Sequence, residues 1–260
     1  MSHLYAQWQD LMNNKSDPRT TNLFLMQCPL PTLMLCIGYF YIVKILGPKF
    51  MEARKPFKVT KLLIIYNFLQ TIWSCYLFWE IGMAGWFGRY NWRCEPFDPS
   101  NDEYAVRMAR AFYLFYLSKF FEFFDTFFFI LRKRFDLISM LHIAHHGTVP
   151  FTLWWCVKFL PGGHQTIFGF FNSFVHIFMY LYYMLAAMGP KMRKYLWWKK
   201  YLTILQMTQF VVVLAHSLQL FFQNPCNFPM IGVYNSCFQA GLFLCLFLNY
   251  YFQEYSRKLK

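Results

Sequence analysis

Three imidazoles within five residues, His142, His145 and His146, form the densest group of chemically capable side chains in the sequence. Positions i, i+3 and i+4 share one helical surface. Rings so placed could bind a metal, exchange protons or attack a carbonyl as nucleophiles. A lone histidine is most simply a structural residue; three at this spacing are hard to read as core. A second stripe, Asn172, His176, Tyr180 and Tyr183, also has helical spacing and could bring a fourth imidazole to the first three. A third runs through Lys119, Glu122, Asp125 and Thr126 at i, i+3, i+6 and i+7, again one face. Lys119 and Glu122 can be read as an internal ion pair without chemistry, whereas Asp125 is a carboxylate able to orient an imidazole. Gln206 and Gln209 extend the polar set. So do Asn67, Gln70 and Ser74, for which hydrogen bonding between helices is a sufficient account. His3, His164 and His216 look incidental.

These residues must be held by membrane helices. The chain has 260 residues, 57% of them hydrophobic, 23% aromatic and only 14% charged, against about 25% charged in a soluble domain. Such a chain cannot cover itself with polar surface, so lipid is its expected solvent. Seven apolar spans are expected, at about 29–47, 62–87, 112–131, 137–160, 165–189, 201–222 and 230–252, each near the ~20 residues that cross a bilayer. The fold class is therefore all-α, integral to the membrane, with seven transmembrane helices. A charge in mid-span costs about 2.5–3.5 kcal/mol, so the Lys119–Glu122–Asp125 face must look inwards. The formal net charge of +13 would suit nucleic acid in a soluble protein. Here the basic residues sit in short clusters between apolar runs, so no nucleic acid partner is expected.

Orientation follows from those clusters. Lys49, Arg54, Lys55, Lys58 and Lys61 follow span one, and Arg132, Lys133 and Arg134 follow span three. Lys191, Arg193, Lys194, Lys199 and Lys200 follow span five, and Arg257, Lys258 and Lys260 end the chain. The alternation puts these segments in the cytosol and the N-terminus in the lumen. Residues 1–27 are then a lumenal segment without the apolar core of a cleavable signal, 28–255 the seven-helix domain and 256–260 a cytosolic tail. Cys94 and Cys226 fall in loops on the oxidising side, which predicts a disulfide between them. Asn14-Lys15-Ser16 is a glycosylation sequon on that side. The terminal Arg257 and Lys258 resemble, imperfectly, a dilysine signal for retrieval to the endoplasmic reticulum.

In chain order, Lys119-Phe-Phe-Glu122-Phe-Phe-Asp125-Thr126, His142-Ile-Ala-His145-His146, Asn172-Ser-Phe-Val-His176 and Gln206-Met-Thr-Gln209 resemble the very-long-chain fatty acid elongases, membrane 3-ketoacyl-CoA synthases of the endoplasmic reticulum. Gly47-Pro48-Lys49 with Arg54-Lys55-Pro56-Phe57, and Tyr195–Tyr201, fit the same resemblance, which covers about residues 20–255. It implies seven helices, six of them around a narrow acyl tunnel closed at the lumenal end. It implies acyl-CoA and malonyl-CoA as substrates, no cofactor and no metal, membrane lipid as surroundings, and a homodimer with other elongation-cycle enzymes as partners. It implies His145 as nucleophile. From the inward-facing stripes, His142 and His146 are assigned orienting and acid–base roles, and Asp125 is a candidate carboxylate partner. Asn172 and His176 would handle malonyl decarboxylation and the enolate. Lys119, Glu122, Tyr180, Tyr183, Gln206, Gln209, Lys199 and Lys200 would contact substrate, the basic loops suiting CoA phosphates. The family commonly carries a bulky aromatic at the position of Ala144 and Thr at Gly147, departures that bear on tunnel shape. A di-iron oxygenase also uses such histidine boxes but needs about eight histidines; this chain has seven, and four are suitably placed. A seven-span receptor would not account for three histidines at the cytosolic mouth.

Overall fold

A computed structural model describes residues 2–256, and within them every regular element is a helix. Helix α1 (Ser2–Asn14) is followed by the short α2 (Pro18–Thr21), whose start is set by Asp17 accepting from the Arg19 amide and by Pro18 at the first position. Helix α3 (Pro29–Tyr41) widens into a π-helical turn at Ile42–Leu46 before α4 (Gly47–Met51). Pro48 has no amide to donate, and the widened turn absorbs that loss. Helix α5 (Thr60–Ile81) ends in a second π-helical turn at Gly82–Trp86. Then follow α6 (Glu103–Phe121), α7 (Phe123–Leu131), α8 (Met140–Phe159), α9 (Ile167–Ala187), α10 (Lys199–Phe222) and α11 (Met230–Tyr251).

Among the described residues, five stretches are long and apolar enough to cross a membrane: Pro29–Met51, Thr60–Trp86, His164–Ala187, Lys199–Phe222 and Met230–Tyr255. They expose large apolar side chains outwards, among them Ile65, Phe68 and Ile72 on α5 and Ile231 and Phe238 on α11. A water-facing surface of that kind would be an aggregation hazard; in lipid it is the expected exterior. The chain is a multi-pass membrane protein. The α6–α7 pair and α8 do not meet the same test, because they carry the charges and the histidines. On length and composition, five of the seven expected spans meet this test among the described residues.

The helix that carries the third expected span begins earlier, at Glu103. Asp102 caps α6 by accepting from the Tyr104 amide, and Arg107 on its second turn pairs with Glu80 at 2.7 Å. The chain then breaks its helical run at Glu122, where the Asp125 amide bonds three residues back rather than four.

Helix α5 packs along α9, α10 along α11, and both α3 and α6 against α8, so α8 is enclosed by its neighbours. The buried core alongside it is built from Trp154, Tyr116, Phe112 and Phe115. A disulfide joins Cys94 to Cys226, tying the loop after α5 to the α10–α11 turn. Gly163 has φ +69°, and a β-carbon there would lie 2.7 Å from the Pro96 carbonyl oxygen; only glycine fits this turn. Asn14 is exposed at the end of α1, while Ser16 of the sequon is buried, its hydroxyl donating to the Met12 carbonyl. Arg257, Lys258 and Lys260 lie outside the described residues.

Candidate active site

Helix α8 starts where Ser139 accepts from the His142 amide, so the first turn is fixed two residues before the histidines begin. Four residues beyond His146, Pro150 lacks an amide, which removes the helical partner of the His146 carbonyl. The three rings cluster tightly: His142 and His146 have centroids 4.4 Å apart, His145 and His146 5.1 Å. The His142 Nε2 atom lies 2.7 Å from the Thr126 hydroxyl, which in turn meets the Tyr39 hydroxyl at 2.9 Å. Thr126 and Tyr39 are both fully enclosed, so His142 is held by a chain of hydroxyls from α7 and α3.

The fourth imidazole joins through a charged relay. Lys119 donates to Glu122 Oε1 at 2.6 Å and to Asn172 Oδ1 at 3.0 Å. With its oxygen taken, Asn172 presents its amide to His176 Nε2 at 3.2 Å. That nitrogen is then the acceptor and the proton sits on Nδ1, which faces Glu122 Oε1 at 3.5 Å. The tautomer is therefore fixed by a lysine two residues removed in the network. Lys119, Glu122 and Asn172 are each at most 3% exposed. The lysine–glutamate pair is thus more than an internal brace, because both partners reach the stripe of α9.

Asp125 departs from the expected arrangement. It accepts from the Tyr180 hydroxyl at 2.9 Å and hydrogen-bonds none of the histidines. The break after Ser118–Glu122 brings Glu122, not Asp125, to the imidazoles. Glu122, His145 and His146 also offer ligand atoms within 4.8 Å of one another. The cationic Lys119 Nζ already lies against that carboxylate, so a divalent ion there would stand beside a fixed positive charge.

These groups line a cavity of 460 Å³. The histidines His142, His145, His146 and His176 are on its wall, with Asn172, Glu122 and Asp125. Tyr183, Gln206, Gln209 and Lys199 line it as well, together with Asn67 of α5, which is therefore not merely a bond between helices. Lys119 and Tyr180 lie behind the wall, each bonded to a residue that forms it. Lys200 is exposed and outside the lining. Arg132 and Arg134 join Lys199 at the wall. As members of a basic loop they were visible in sequence, but nothing local pointed them inwards. Tyr182, Tyr250 and Phe247 are further lining residues without a sequence signal. Three buried acceptors of residues on this wall, Asn67 Oδ1, Glu122 Oε2 and Gln209 Oε1, have no hydrogen-bond donor among the described residues. His164 and His216, which looked incidental, stack at 3.8 Å with the rings nearly parallel, at the other end of α10.

Comparison with known proteins agrees with these motifs. The "ELO: GNS1/SUR4 family" model matches residues 24–260. "Very long chain fatty acid elongase 7" of Drosophila melanogaster is 55% identical over 99% of this chain and 78% of that protein. The protein of the same name in Rattus norvegicus is 44% identical over 93% and 86%. "Very long chain fatty acid elongase 1" of Homo sapiens is 41% identical over 96% and 90%. The chain belongs to the ELO (GNS1/SUR4) family.

Proposed function

We propose that this protein is the condensing enzyme of fatty acid elongation, joining an acyl-CoA to malonyl-CoA to give a 3-ketoacyl-CoA, CoA and carbon dioxide. The observation that carries the reading is the single cavity in which four imidazoles meet a basic rim of Arg132, Arg134 and Lys199. A CoA thioester needs both: cationic groups for its phosphates and a nucleophile or acid–base pair at its carbonyl.

The reaction proceeds in two halves. A neutral imidazole, His145, attacks the thioester carbonyl; the carbon–sulfur bond breaks, and the imidazole proton leaves with CoA as its thiol. Malonyl-CoA then loses carbon dioxide, and the carbon of the resulting enolate attacks the acyl-imidazole. The carbon–nitrogen bond breaks and His145 regains a proton. Asn172 and His176 stabilise the enolate, while His142, held by Thr126, and His146 orient the box and exchange protons. Two steps spare the site from holding two CoA groups at one mouth. The acyl tail extends between the helices as a tunnel closed towards the lumen, in a seven-span protein of the endoplasmic reticulum with a cytosolic mouth. Association as a homodimer and with other elongation-cycle enzymes belongs to the same reading.

The test is intact-mass analysis of purified enzyme after exposure to acyl-CoA without malonyl-CoA, alongside malonyl-CoA-dependent release of carbon dioxide. Wild type should gain the mass of one acyl group and His145→Ala should not. An adduct that persists in His145→Ala overturns the nucleophile assignment. Absence of carbon dioxide release with any acyl-CoA overturns the function.

A further inference from the structure

Helix α1 takes no part in the histidine cavity, yet its two faces differ sharply. Leu4, Tyr5, Trp8, Leu11 and Met12 stand at i, i+1, i+4, i+7 and i+8, one apolar arc of about 120°. His3, Gln7, Gln9, Asp10, Asn13 and Asn14 fall on the rest of the circumference. The arc is divided along its length. Met12 is buried in the cluster that holds Trp154 and Val157 of α8, and Leu11 packs against it. Leu4 is 74% exposed, Tyr5 66% and Trp8 39%. One arc carries both halves, so the turn fixed on the core holds the free half overhanging the edge of the bundle, its apolar side turned the way the core lies.

The chain after α1 sets the level of that overhang. The Asp17 amide donates to the Lys158 carbonyl at 2.9 Å and the Thr20 hydroxyl to the Val157 carbonyl at 2.8 Å. Helix α1 therefore departs from the last turn of α8, away from the histidines at its start. Arg19 donates to the carbonyls of Asp98 and Ser100, just ahead of α6. Met26 shares the cluster of Met12 and lies three residues before Pro29, where the first membrane-crossing stretch begins. The buried end of α1 is thus level with the point at which α3 meets lipid, and Leu4 lies about 12 Å further along the helix. Exposed Phe24 and Leu30 carry the apolar exterior up to the same level.

We propose that α1 lies in the headgroup region of the bilayer that holds the protein, with Leu4, Tyr5 and Trp8 sunk towards the acyl chains and the polar face in water. An amphipathic helix of low overall hydrophobicity takes that place, and Trp and Tyr favour that boundary. Helix α1 contains no Lys or Arg, so it attaches by apolar burial and not by attraction to anionic lipid.

The experiment uses the full chain with Cys75→Ser and Cys245→Ser, which removes the two exposed thiols. A nitroxide is placed at Leu4→Cys or, on the opposite side of the helix, at Ala6→Cys, and the signal of the same background without the added cysteine is subtracted. The protein sits in nanodiscs of phosphatidylcholine, with and without phosphatidylserine. The Leu4 label should collide severalfold more with oxygen than with a water-soluble nickel chelate, the Ala6 label the reverse, and neither ratio should change with phosphatidylserine. Tyr5→Ser with Trp8→Ser should bring the Leu4 label to the ratio of the Ala6 label and leave the melting temperature in place, since neither ring belongs to the buried core. Equal access of both labels to the chelate puts α1 in water and overturns the proposal. A Leu4 label shielded from oxygen and chelate alike means that protein covers the stripe, a second copy of this chain where dipolar broadening accompanies it, and overturns it as well. A Leu4 ratio that depends on phosphatidylserine overturns attachment by apolar burial.

Discussion

Lys119 is a full positive charge inside an apolar helix, tolerated because Glu122 lies 2.6 Å away. Removing one partner of such a pair strands the other, which costs about 3–5 kcal/mol, whereas replacing both by well-packed apolar groups is often neutral. Lys119→Met should therefore lower thermal stability in detergent sharply, and Lys119→Met with Glu122→Met should restore most of it. Activity should return in neither, since the double variant also loses the group that faces His176. If the double variant regains turnover, the pair is a brace and nothing more. Asn172 allows a finer test, because it ties Lys119 to His176. Asn172→Leu removes the donor to His176 Nε2 but leaves the three histidines of α8 untouched. The second half-reaction should slow by about 10²–10³-fold, the scale of losing one charge-stabilising donor. Acyl adduct should then accumulate on the enzyme in the presence of malonyl-CoA. Equal slowing of acylation, seen by rapid-quench mass analysis, would remove Asn172 from the enolate step.

At the scale of elements, α8 and its neighbours decide where those residues stand. A β-carbon on Gly147 would lie 2.1 Å from the Phe40 ring, so the glycine sets how closely α3 approaches the histidine turn. Gly147→Thr should destabilise by about 1–3 kcal/mol, the usual cost of overpacking, and adding Phe40→Ala should recover part of it. If Phe40→Ala worsens Gly147→Thr, the contact does not govern the α3–α8 spacing. Helix faces were legible in the sequence because periodicity is local: Lys119, Glu122, Asp125 and Thr126 were expected to look inwards, and all four are buried. Which neighbour each face meets is a tertiary fact. Nothing within α7 tells Thr126 that Tyr39 and His142 will converge on its hydroxyl, and past the break at Glu122 it is Glu122 that stands beside an imidazole while Asp125 bonds to Tyr180. The early start of α6 was hidden for a related reason. Glu103, Arg107 and Arg110 make its first turns polar, and hydropathy reads polar turns as loop. A capping aspartate and a cross-helix ion pair with Glu80 hold them helical instead.

Across the whole molecule, the histidine cavity and the disulfide sit at opposite ends of α10. Lys199 at its start lines the cavity, and Leu220 near its end packs with Cys94, some 30 Å along the helix. Stability and chemistry are therefore separable by position. The Cys94–Cys226 bond closes a loop of 132 residues, and on the chain-entropy account such a cross-link restricts the unfolded chain by about 5 kcal/mol. Cys94→Ser with Cys226→Ser should therefore lower the melting temperature substantially in detergent. Well below that temperature, turnover of acyl-CoA and malonyl-CoA should be unchanged, because no group at the histidines touches either sulfur. A strong reductant should reproduce the shift in wild type and add nothing in the double variant. If reductant leaves the wild-type melting temperature where it was, the two cysteines are not bonded in the mature protein. The loops that carry them would then have no claim to an oxidising compartment, and the orientation argued from the basic loops would lose its independent support.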